Sequence, residues 1–160
     1  ASSTELYALL SALSGIGINQ SIAVTGSVDQ FGNIQPIGGA NEKIEGFFRY
    51  CSYRGLTGNQ GVLLPKQNVL NLMLDHEVLD AVRKGLFHVW AIETIEQGIE
   101  ILTGVSAGVP DEKGEYPAGT VFQKVMDQLK TWVEKSNQFK KGNSNNTKPV
   151  PREDESDNND

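Results

Sequence analysis

Leu6, Leu9, Leu10 and Leu13 recur at the i, i+3, i+4, i+7 spacing that lines one face of an α-helix. Ser2 and Glu5 stand just ahead of them in the Ser-x-x-Glu spacing of a capping box, so the pattern predicts a helix from about Thr4 to Ser14, stopped near Gly15. Ile22 and Val24 then alternate with small residues up to Thr25-Gly26, which reads as a strand over residues 20–25. Asp29-Gln30-Phe31-Gly32 has turn composition, with Val28 and Ile34 available to pair across it. After Gly38-Gly39, which permits a tight backbone path, Ile44, Phe47, Phe48 and Cys51 form a second helical stripe that ends near Gly55.

Val62-Leu63-Leu64 before Pro65 has no polar alternation, the mark of a strand buried on both faces. Residues 66–84 read as short helices, with Leu70, Leu72, Leu74, Val78, Leu79 and Val82 expected to supply apolar contacts. Phe87–Ile92 reads as a further strand, and Thr94-x-x-Gln97 caps a helix with Ile95, Ile99 and Leu102 on one face. Strands separated by helices imply crossover connections, hence an α/β (α+β) architecture: a mixed sheet with packed helices and one antiparallel hairpin near its start.

The pattern changes after Gly104. Residues 105–119 are rich in Gly, Pro and charge and read as a connecting loop. Residues 120–141 form an amphipathic C-terminal helix, with Val121, Phe122, Val125, Met126, Leu129, Trp132 and Val133 expected to pack on the rest of the chain. From 142 to 160 the chain is Asn, Ser, Pro and acid, and reads as a disordered acidic tail.

Composition narrows the possibilities. The net charge is −6, with 12 Lys and Arg against 15 Asp and Glu in residues 1–141, so nothing in the balance points to a phosphate-binding surface and nucleic acid is an unexpected partner. Cys51 is the single cysteine, which excludes an internal disulfide and fits a reducing, cytoplasmic setting. No apolar run reaches membrane-spanning length. His76, His88 and Cys51 lack metal-ligand spacing, no Ser-His-Asp order is legible, and no Gly-x-x-x-x-Gly-Lys phosphate loop occurs.

Lys43 carries the chemistry that remains. It follows Gln35-Pro36-Ile37-Gly38-Gly39-Ala40-Asn41-Glu42 at the start of the second helix, 18 residues after Thr25. A cation at a helix N-terminus is mildly disfavoured, and apolar surroundings favour a neutral amine, which can act as a general base. Read from its type alone, Lys43 is more readily a solvated surface lysine than a base, and the plain role of Thr25 is that of a strand residue.

Thr25-Gly26-Ser27 and the Pro-Ile-Gly-Gly…Glu-Lys segment, in this register, resemble the proteolytic domain of Lon-type ATP-dependent proteases, which use a Ser-Lys dyad. The resemblance runs from Ala1 to about Gly104, and is nearest the B-type and Lon-related bacterial proteins, which carry Gly-Asp-Ser-Ala-Ser at the nucleophile. Ala1-Ser2-Ser3-Thr4-Glu5-Leu6 matches the residues after that serine, so the nucleophile is expected immediately before Ala1 and this stretch alone is expected to be inactive.

The resemblance implies several further expectations. The fold would be the Lon proteolytic one, like the second domain of ribosomal protein S5. Lys43 would take the serine proton and return it to the leaving amine, with Thr25 hydrogen-bonded to Lys43 and the first helix's N–H groups near the oxyanion. Independently of the resemblance, nearby carboxylates would hold the proton on Lys43, so Glu42 and Glu45 are expected to face solvent. No cofactor is expected here, since ATP would be used by a separate upstream ATPase region. Partners would be unfolded protein substrates and other copies of the chain in a hexameric ring, with no membrane. The alternative is a non-catalytic assembly or interaction module that keeps the same fold.

Overall fold

The computed structural model describes residues 2–144. Its elements run α1 (Ser2–Ser14), β1 (Ile22–Val24), β2 (Ser27–Val28), β3 (Ile34–Gln35), α2 (Ala40–Arg54), β4 (Gly61–Pro65), a 3₁₀ turn (Lys66–Asn71), α3 (His76–Arg83), β5 (His88–Ile92), α4 (Ile95–Thr103) and α5 (Val121–Ser144).

β4 organises the molecule. It lies between β1 and β5 in a three-stranded parallel sheet, with Ile22 opposite Gly61 on one side and Gly61 opposite His88 on the other. Side chains alternate across a strand, and both faces of this one are covered. Leu63 enters a cluster with Tyr7, Ile92, Ile99 and Leu102 from α1, β5 and α4. Val62 and Leu64 enter a second cluster with Ile44, Phe48, Val78 and Phe87 around α2 and α3. A strand with helices on both sides has no solvent face, which is why its residues are uniformly apolar. Gly61 begins β4 because a Cβ there would run into the His88 carbonyl and lie 2.5 Å from the Trp90 ring.

The hairpin forms as expected, with Val28 opposite Ile34, but as a sheet of its own. The sheet is thus not one mixed layer: three parallel strands stand beside a two-stranded antiparallel unit. The hairpin is moored to the β5–α4 connection, where Ile34 N–H donates to Glu93 O at 2.8 Å and Ile95 N–H to Gly32 O at 3.0 Å. That mooring carries Ile34 into the core.

Local signals explain most helix limits. Gly15 and Gly55 end α1 and α2 with positive φ, which glycine adopts without the penalty of a Cβ. Thr94 caps α4 by accepting Gln97 N–H, while the Gln97 side chain reaches back to Glu93 N–H at 2.7 Å. Two expectations fail. α1 begins at Ser2, so Ser2 lies inside the helix rather than capping it. In the 66–84 segment Leu70 is 92% exposed and Val82 is exposed, so only part of that run feeds the core.

α5 packs along α1, and its first turn is fixed by Val121 N–H to Ser106 O and Phe122 N–H to Ala107 O. Val121 and Val125 are buried there. Further along, Met126, Leu129, Trp132 and Val133 are exposed, so the expected packing reaches only the first half of the helix. The helix runs on to Ser144, through the first residues of the segment read as disordered, and the remainder of that segment, 145–160, lies outside the described residues.

Candidate active site

In a parallel sheet the crevice beyond the carboxyl ends of the strands is where ligands gather. Here β1 ends at Val24 and its pairing continues one residue further, with Thr25 N–H donating to Leu63 O at 3.0 Å. Gly26 then turns the chain at φ 142°. A Cβ there would sit 3.3 Å from both Ile34 and Pro65, so glycine permits the close packing under the turn.

The opposite wall comes from the Pro36–Gly39 segment and the first turn of α2. Gly39 sits in the left-handed region, φ 68° and ψ 33°, at the position before the helix, which only glycine adopts readily. Lys43 follows one turn later, its N–H bonded to Gly39 O at 3.2 Å. Ala23, Val24, Thr25, Gly26, Ile37, Lys43 and Val62 together enclose a cavity of about 280 Å³. The two residues singled out from the sequence therefore share one largely apolar cleft.

Lys43 is itself exposed and takes no part in the ion pairs formed among the described residues, so no carboxylate pins its ammonium. The Thr25–Lys43 hydrogen bond that the resemblance implies is not among the side-chain hydrogen bonds of the described residues. Glu42 is exposed as expected, but Glu45 is not turned to solvent. Its side chain is 16% exposed, pairs with Arg49 at 3.6 Å and accepts Asp75 N–H at 3.1 Å. Two residues along a helix from Lys43, it lies on a different face.

Two further contributors carry no sequence signature. Asn68, in the 3₁₀ turn that follows β4, accepts Ile37 N–H at 3.0 Å and donates to Ile37 O at 2.8 Å, clamping the Pro-Ile-Gly-Gly segment. Ser2 and Ser3 reach from α1 to the Gly26–Val28 backbone. Both contacts depend on tertiary approach over more than 20 residues, which no local spacing encodes.

The other reactive groups lie elsewhere. His88 Nε2 is 2.8 Å from Gly58 O, and the ring stacks on Trp90 at 5.2 Å. Cys51 is buried on α2, and burial pushes its thiol up. Among the described residues no group of His, Cys, Asp and Glu could hold a metal ion, and no helix is long and apolar enough to cross a membrane.

The cleft, the Thr-Gly strand end and the Gly-Gly-capped lysine helix all fall within residues 1–104, which match the Lon protease (S16) C-terminal proteolytic domain. The chain belongs to the Lon protease family. It is 46% identical over 129 residues to a Lon protease homolog of Escherichia coli (strain K12), covering 81% of this chain and 21% of that protein. A second homolog, of Haemophilus influenzae, is 45% identical over 112 residues, or 70% of this chain and 18% of the relative. The archaeal Lon protease of Archaeoglobus fulgidus is 33% identical over 93 residues, 58% of this chain and 13% of that protein. The chain thus spans about a fifth of the length of its Lon-family relatives or less. Its parallel sheet flanked by helices is the architecture of a Lon proteolytic domain.

Proposed function

We propose that this chain forms the proteolytic domain of an ATP-dependent, Lon-like serine endopeptidase working on unfolded or damaged proteins in the cytoplasm. The observation that carries the proposal is the meeting of Thr25 and Lys43 in one cleft at the carboxyl end of β1, beside the start of α1. In this reading the nucleophilic serine is the residue N-terminal to Ala1. Lys43 Nζ takes its Oγ proton as that oxygen attacks the scissile carbonyl, then returns the proton to the leaving amine. Thr25 orients the amine, and water hydrolyses the acyl-enzyme with Lys43 again as base. Residues 1–160 alone are inactive, ATP is consumed by a separate region, and six copies enclose the sites.

Hydrolysis of fluorescently labelled casein tests this, using the protein with its segment N-terminal to Ala1 and its ATPase region, in the presence of ATP. Lys43→Ala should lower kcat by at least about 1000-fold, as expected for loss of a base within a dyad, and leave Tm nearly unchanged. Thr25→Ala should lower kcat about tenfold and leave KM within about twofold. A folded Lys43→Ala variant that retains more than a few per cent of activity would refute the dyad. Absence of any casein hydrolysis by the intact protein would favour the assembly module instead.

A further inference from the structure

A hydroxyl buried in the first turn of a helix costs desolvation unless it makes a hydrogen bond that an apolar side chain could not. Ser3 is 1% exposed, and its Oγ donates to Gly26 O at 2.8 Å. The neighbouring Ser2, exposed, accepts Val28 N–H on its Oγ at 3.0 Å. Adjacent residues on a helix project about 100° apart, so the two bonds restrain both the rotation of α1 about its axis and its slide along it. Thr25, one residue before Gly26, is bonded to β4 through its N–H. The N-terminal turn of α1 is therefore tied at Gly26, which helps wall the Lys43 cleft, and at Val28 two residues further on.

Helix termini fray, and the first turn is ordinarily the least constrained part. From the doubled attachment we infer that Ser2 and Ser3 are positioning residues, a clasp that sets the approach of the residue N-terminal to Ala1 toward Lys43 and Thr25. This rests on the Ser-Lys reading above. Neither hydroxyl touches a reacting atom. Proton transfer needs the base within about 2.6–3.2 Å of the hydroxyl, and a displacement of about 1 Å can cost about 100-fold in rate. A first turn released from Gly26 and Val28 loses that placement while the substrate cleft beside Lys43 stays intact.

The test measures kcat and KM for casein, with Tm and circular dichroism, on Ser3→Ala, Ser2→Ala and Lys43→Ala of the same N-terminally complete protein. The clasp requires kcat to fall about tenfold or more in Ser3→Ala and about threefold in Ser2→Ala, with KM within about twofold. A purely structural role would lower Tm and the folded fraction while kcat per folded molecule stayed at the wild-type value, and that result overturns the clasp. If Ser3→Ala does not fold, Ser2→Ala decides, because its exposed side chain leaves the core undisturbed. An unchanged kcat there overturns the proposal. If Lys43→Ala stays active, the dyad reading fails and the positioning role with it. Loss in Lys43→Ala beside wild-type kcat in both serine variants removes the clasp alone.

Discussion

A Cβ added to Gly98 would lie 2.5 Å from Cζ of Tyr7 and still closer to its hydroxyl. Tyr7 is 1% exposed and cannot swing away, so α1 and α4 meet as a phenol in a glycine notch. Its hydroxyl is buried without a hydrogen-bond partner among the described residues, and burial, with a contribution from Glu96, pushes the phenol well above its usual range. Gly98→Ala should therefore destabilise by about 3 kcal/mol through overpacking. Tyr7→Phe removes an unsatisfied polar atom and should leave stability unchanged or raise it by about 1 kcal/mol. Urea midpoints of the two variants check this, and a Tyr7→Phe loss above about 1 kcal/mol would mean that the hydroxyl is satisfied in solution. The pair also marks a limit of legibility. Tyr7 falls on α1 between stripe residues Leu6 and Leu10, and Gly98 looks like an ordinary weak point in a helix. Only their juxtaposition gives either a purpose.

The elements most visible in the chain were those whose causes are local. The stripe Ile44, Phe48 and Cys51, the apolar run of β4 and the Thr94–Gln97 box each carry their own instruction within a few residues. The candidate site was half legible for the same reason: Lys43 and Thr25 sit in recognisable segments, while Asn68 and the Ser2–Ser3 contacts are products of packing. The hairpin illustrates both kinds of cause. Asp29 Oδ1 accepts the N–H groups of Phe31 and Asn33, and Oδ2 accepts the side-chain amides of Asn33 and Gln35. The Asn33 side chain, then its backbone N–H, hold the Asp29 carboxyl below the usual carboxylate range. A carboxylate lowered on folding adds stability above its unfolded pKa, and that contribution is lost as pH falls through the folded value. Amide exchange at Phe31 and Asn33 should accordingly lose protection, relative to core strands, only below about pH 4. Asp29→Asn should show the weakened protection already at neutral pH. Equal protection in both proteins across that range would remove the carboxylate from the turn's stability.

At the scale of the whole molecule, α5 divides into a half that belongs to the core and a half that leaves it. Val125 is 7% exposed against α1, whereas Trp132, seven residues and two turns further on the same stripe, is 52% exposed. Leu129 and Val133 continue the apolar line beyond the point where α1 can cover it. An isolated tryptophan at a surface is unremarkable, but a helical row of apolar residues is the usual form of a surface that meets another. Cys51 is buried, so a cysteine placed on α5 can be read by alkylation mapped to its own peptide. Where nothing covers the stripe, Val125→Cys should react about 100-fold more slowly than Trp132→Cys, the ratio expected when only local opening exposes the first. Dilution separates the two causes of any shielding at Trp132. If Trp132→Cys is slow at every concentration, the stripe is covered within the same polypeptide, by a part outside residues 2–144. If its rate rises toward that of a free thiol as the protein is diluted, the cover is a second molecule, and the outer half of α5 is an assembly surface that residues 1–104 do not contain.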